Sequence, residues 1–168
     1  MPEKETVFTS RIKYSGIFSF KDFYKFCYDW LTEEISMQLT EDKYSEKLTG
    51  DSKDIQVRWV CEKKITDYFR FDAKITFDAN SLKKIEITNG GQKIETNKGL
   101  LRLKVEGILV RDYKGKFETS AFNKFLRGIY EKWVITSRIE EFKEKIMKDC
   151  DEFLLQSKAY LDLEGKRK

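Results

Sequence analysis

The chain contains no histidine. That removes the commonest general base and metal ligand, and with it serine-histidine or cysteine-histidine hydrolysis, histidine-ligated zinc and histidine pH switching. Proline occurs only once, at Pro2, so the helical pattern that runs to Glu164 contains none. The three cysteines, Cys27, Cys61 and Cys150, are scattered and odd in number. They read as reduced thiols in a cytosol-like compartment, small core residues with neither a disulfide frame nor a paired metal spacing. Long apolar runs are missing too. The longest, such as Gly107-Ile108-Leu109-Val110, are strand-sized and far short of the ~20 residues of a membrane span. Met1-Pro2-Glu3-Lys4-Glu5 carries charges of both signs and leads into a strand, which predicts no signal peptide and a cytoplasmic location. No glycine-rich phosphate loop opens a helix, and no calcium loop is present.

What the chain does have is aromatic mass. Of its 168 residues, 13 are Phe, 8 Tyr and 3 Trp, and 40% are hydrophobic, enough for one packed domain spanning 1–168. Its 33 Lys and Arg against 29 Asp and Glu give a formal charge of +4 with the signs interleaved, a well-solvated surface more than a polyanion-binding one.

Residues 7–18 predict a first strand. Ser19 is an N-cap candidate for a helix to about Glu34, because Phe23, Phe26, Cys27, Trp30 and Leu31 share one helical face. Strands follow. Met37 to Leu48 reads as a polar edge strand, and Ile55, Val57, Trp59 and Cys61 alternate with polar residues. Phe69 to Asp78 alternates without error for ten residues, which predicts an antiparallel sheet with one buried face. Asp78-Ala79-Asn80-Ser81 reads as a turn, then Leu82 to Thr88 as a strand with Ile85 and Ile87 inward. Asn89-Gly90-Gly91 suits a tight hairpin, and Leu101 to Leu109 forms the last strand.

From Thr119 or Ser120 to Glu164 the pattern is helical. Phe122, Leu126, Ile129 and Trp133 mark one stripe, and Ile139, Ile146, Phe153 and Tyr160 recur every seven residues beyond Arg138, joined by Ile135 and Phe142. Forty-odd helical residues would span about 60 Å at ~1.5 Å per residue, longer than one such domain needs. Either the helix breaks, at Gly128 or at Thr136-Ser137, or 138–164 projects from the sheet. Residues 165–168 form a basic tail.

The expected fold is α+β: an antiparallel sheet of about six strands with one face covered by helices 20–34 and 120–164. Strand, helix, meander, long helix is the element order of the helix-grip folds, and the chain resembles them in that order alone. The resemblance implies a ligand space between sheet and helix, which Trp59, Phe71, Phe77, Leu103, Phe125, Ile129 and Trp133 would line unless they fill it.

No cofactor, metal site or catalytic residue is expected. The function anticipated is a non-enzymatic structural or adaptor subunit of a larger assembly, a cellular complex or a virus particle. It would dock a protein partner or a second copy through Ile139, Phe142, Ile146, Phe153 and Tyr160 of the C-terminal helix. A carrier of an apolar ligand is the first alternative. The second is RNA or DNA binding on the polar sheet face, with Arg58, Arg70, Lys74, Lys84, Arg102 and Lys104. There the neighbouring acids Glu62, Asp72, Asp78, Glu86 and Glu106 dilute the charge, and Phe69, Phe71 and Phe77 point the other way.

Overall fold

The computed structural model describes residues 3–115, 120–134 and 136–165, with the side chains of Asn89, Trp133 and Val134 left out. It is α+β, with one antiparallel sheet of five strands: β1 (Glu3–Phe18), β2 (Gln38–Thr49), β3 (Ser52–Lys64), β4 (Phe69–Asn89) and β5 (Gln92–Arg111). The strands lie in the order β1-β5-β4-β3-β2, so β1 and the charged β2 form the two edges. Helix α1 (Phe20–Asp29) opens on Ser19, whose hydroxyl accepts from the Asp22 amide at 3.3 Å, and runs into a π-helical turn, Trp30–Glu34. After β5 come α2 (Ala121–Ile129), a second π-helical turn (Tyr130–Val134) and α3 (Thr136–Gly165).

Five strands replace six because of one residue. Ser81 takes a left-handed conformation (φ 54°), and its amide donates to Asp54 Oδ1 at 2.9 Å. The segment expected to turn is therefore a bulge inside a 21-residue strand, and pairing with β5 resumes past it at Lys83. Gly99 fits against the bulge because a β-carbon there would lie 3.0 Å from the Asn80 carbonyl and the Leu82 Cα. An inserted residue reverses the alternation of everything after it. Leu82 and Lys84 consequently share the concave face, while Ile85 and Ile87, expected inward, sit half-buried opposite Thr96 and Ile94 on the other side.

The hairpin at Gly90-Gly91 is as the sequence predicts, with φ of 61° and 82°.

The core lies on the concave face, under α1 and α3. Phe23 and Cys27 of α1 and Leu31 of the π-helical turn pack with Trp59, Phe77 and Leu103 of the sheet and with Ile146, Phe153 and Leu161 of α3. Helix α3 packs tightly over Gly107. A β-carbon at that glycine would stand 2.8 Å from both Cys150 Sγ and Ile146 Cγ2. The π-helical turn is described to Val134 and α3 from Thr136, whose hydroxyl lies within hydrogen-bonding reach of the Glu131 and Lys132 carbonyls. Thirty residues of α3 remain, about 45 Å at ~1.5 Å per residue, and they cross the sheet without projecting as a free stalk. Thr119, the alternative cap, Ile135 of the helical stripe and the tail residues 166–168 lie outside the described residues.

Candidate functional site

The heptad stripe of α3 faces its own sheet. Ile139, Ile146 and Phe153 are buried within this chain, and Phe142 and Tyr160 pack against the same core. The Tyr160 ring stacks on Phe26 with centroids 4.6 Å apart, and Phe142 meets Phe69 edge-on at 5.0 Å. These five side chains therefore do not form the open docking face the sequence suggested. A seven-residue repeat says that one helical face is apolar, not what covers it.

The expected ligand space is filled as well. Trp59, Phe71, Phe77 and Leu103 are buried in the main core, with Trp59 and Phe77 ring to ring at 4.7 Å. Phe125 and Ile129, assigned to the opposite wall of that space, point into solvent. Trp133, also assigned to that wall, has its side chain outside the described ones.

The apolar face left over belongs to α2, which is mounted inside out. Phe122 and Phe125 are 67% and 62% exposed, and Leu126 and Ile129 are 37% and 41% exposed. Their spacing of i, i+3, i+4 and i+7 places all four on one face. What turns inward is charge. Arg127, 11% exposed, holds Asp112 at 3.5 Å and Glu3 at 3.1 Å. One turn on, Glu131 accepts from Tyr68 Oη at 2.5 Å and pairs with Arg111 at 3.4 Å; Arg111 also reaches Glu5 at 3.0 Å, and Glu5 meets Lys143 of α3 at 2.9 Å. Burial, followed by the bond to Glu131, pushes the Tyr68 phenol pKa up, so Tyr68 stays a donor. Asp112 is 2% exposed and adopts φ 51°, which ends β5 in a tight turn closed by Gly115 N–H donating to its carbonyl at 2.8 Å. The ion pairs orient α2, and the apolar side faces water.

A second feature lies at the other end of the sheet. A cleft of about 550 Å³ opens between the start of α1 and the concave ends of β2, β3, β4 and β5. Phe20, Ile55 and Leu82 give it apolar walls, Tyr24 and Tyr44 flank it, and Lys21, Lys53 and Lys84 stand around it. Tyr24 donates to Glu41, and burial, with help from that bond, raises its phenol to about 12. Lys53 is 3.7 Å from Glu46, which also accepts from Tyr44 at 2.6 Å. Asn97 Oδ1 accepts from the Phe20 amide at 3.1 Å and fixes the helix start over the cleft. No sequence signal marked this place, because Lys84 reaches it only through the parity change at Ser81.

The basic face proposed for nucleic acid is largely neutralised. Arg58 pairs with Asp42 at 2.6 Å, Arg70 holds Asp72 with two bonds at 2.7 and 2.9 Å, Lys104 meets Glu106 at 2.9 Å, and Arg102 is 3.8 Å from Asp78. Lys84 is on the other face. The three cysteines are buried, and desolvation drives each thiol pKa upward, Cys61 and Cys150 to about 12, so they behave as core residues, not nucleophiles. Among the described residues no group of three or more Cys, Asp or Glu could hold a metal ion, and no helix is long and apolar enough to cross a membrane.

Compared with known proteins, the chain matches no family model, no curated protein and no solved structure.

Proposed function

We propose that the chain is a non-enzymatic adaptor or structural subunit of a larger assembly, docking a protein partner through the outward face of α2. The observation that carries this reading is the inverted mounting of that helix. Leaving Phe122, Phe125, Leu126 and Ile129 in water forgoes roughly 1.5–3 kcal/mol per large side chain, which a covering partner recovers. The chain orients the helix with a buried ion pair, so the display is part of its folded structure.

Area defines the partner. A single nine-residue helix laid against a second copy falls well short of the ~800 Å² per partner that a stable dimer buries. A foreign protein with a short apolar groove that wraps the four side chains matches that size.

The test is a photo-crosslinking amino acid at position 125, with position 155 on the outer side of α3 as control. The expected product is one protein of fixed stoichiometry, captured from 125 and not from 155. When purified, that protein should bind the native chain and lose about tenfold or more affinity for Phe122→Glu/Phe125→Glu. Crosslinks only between copies of the chain, or binding to anionic vesicles without any protein product, would overturn the reading.

A further inference from the structure

The cleft beneath the start of α1 has the composition of a ligand site rather than of a packing defect. Its walls combine Phe20, Ile55 and Leu82 with the rings of Tyr24 and Tyr44, and its polar groups come from five different elements. At about 550 Å³ it falls within the ~300–1,000 Å³ of small-molecule pockets, and it lies beside the core, not inside it.

We infer that this cleft binds a small aromatic anion, a flat apolar body of one or two rings carrying a carboxylate or an equivalent acid. The aromatic part follows from the walls: ring edges and faces of Phe20, Tyr24 and Tyr44 favour a planar partner, with Ile55 and Leu82 removing it from water. The charge follows from which cations are already neutralised. Lys53 faces Glu46, and Glu41 takes the Tyr24 proton donor. Lys21 on α1 and Lys84 on β4 have no ion-pair partner among the described residues, and they approach the cleft from two sides. Lys84 is the direct cross-strand neighbour of Asn97, whose Oδ1 is occupied by the Phe20 amide. An acid group placed between Lys21 and Lys84 sits at the positive end of α1, while the Glu41 carboxylate is engaged by the Tyr24 hydroxyl.

The bulge supplies the positioning. Were the pairing of Asn80 with Leu100 continued without a bulge, Lys83 would stand opposite Asn97 and Leu82 would face away; the shift at Ser81, held by its bond to Asp54, puts Leu82 and Lys84 on the cleft side together.

This site is independent of the docking reading. The cleft is at Asn97 and α2 adjoins Arg111, opposite ends of β5 separated by about 45 Å along the strand at ~3.3 Å per residue.

Calorimetric titration of the purified chain with 2-naphthoate, and with the neutral 2-naphthylmethanol, tests the inference. One naphthoate should bind per chain, about tenfold or more tighter than the alcohol, with affinity falling as salt rises. Lys21→Glu/Lys84→Glu, both at exposed positions, should weaken naphthoate about tenfold or more with unchanged circular dichroism and thermal midpoint, and leave the alcohol unaffected. Phe122→Glu/Phe125→Glu should bind naphthoate like the native chain. Equal affinity for acid and alcohol, no saturable binding of the acid, or naphthoate binding that survives the lysine reversals would overturn it.

Discussion

Arg127 reaches from α2 to Asp112 at the end of β5, Nη1 to Oδ2 3.5 Å, and the carboxylate it meets is 2% exposed. This pair decides which side of α2 faces the protein. The helix has an apolar face and a charged face, and the charged one is held inward.

Arg127→Ala should lower stability by about 2–4 kcal/mol, because it takes a cation from a carboxylate that is 2% exposed. Glu3→Gln removes the outer partner of the same guanidinium, but Glu3 is 44% exposed, and the cost should stay below about 1 kcal/mol. Urea unfolding of the two variants separates them; equal losses would mean that Asp112 is not the anchor.

Truncations on the two C-terminal helices should behave oppositely. Phe153→Ala and Ile146→Ala remove core groups and should cost about 3–5 and 2–5 kcal/mol. Phe122→Ala and Phe125→Ala should change stability by no more than about 0.5 kcal/mol, apart from helix-propensity effects. Thermal melts of the four variants provide the comparison.

At Gly107 α3 lies directly over the backbone of β5. Gly107→Ala drives a methyl into Cys150 Sγ and Ile146 Cγ2, and should cost about 1–3 kcal/mol. Adding Cys150→Ala should relieve part of that cost, giving a coupling of about 0.5 kcal/mol or more in a double-mutant cycle. Strictly additive losses would contradict the contact.

Alkaline pH should unfold the chain earlier than ordinary tyrosine and lysine titration requires. Burial raises Cys61 and Cys150 from 9.0 to about 12, and raises Tyr24 from 10.0 to about 12. In each case the anion is the disfavoured form in the fold. The unfolded chain therefore loses these protons first, and stability present below pH 9 declines between about 9 and 12. Cys61→Ala/Cys150→Ala should flatten the decline between about pH 9 and 10, measured as urea midpoint against pH, while leaving Tyr24's share above 10.

Much of the architecture was legible in residue order. The faultless alternation of Phe69 to Asp78 assigned the buried face correctly, while on the polar face Asp72 is buried and Lys74 is exposed; Ser19 capped α1 as expected, and the glycine pair made its hairpin. What failed were questions that local patterns cannot answer. Ser81 looked like a turn because its neighbours are turn formers, yet pairing with β5 on both sides makes it a bulge, and the parity of Leu82 to Thr88 changed with it. The stripe Phe122, Leu126 and Ile129 looked like core, since a hydrophobic face carries no sign of which side tertiary partners occupy. That choice lies in Arg127 and Asp112, fifteen positions apart, whose pairing only the fold reveals. The cleft was invisible for the same reason: its walls come from α1 and four strands.

Maleimide labelling of single introduced thiols under native conditions tests the orientation of the two helices most directly. The three native cysteines are buried and serve as the unreactive baseline. Phe125→Cys should label at the rate of a free thiol in the monomer, and Ile146→Cys should stay protected until the chain unfolds. A protected 125 together with a reactive 146 would put α2 in the core and α3 in solvent, reversing the assignment of the docking face.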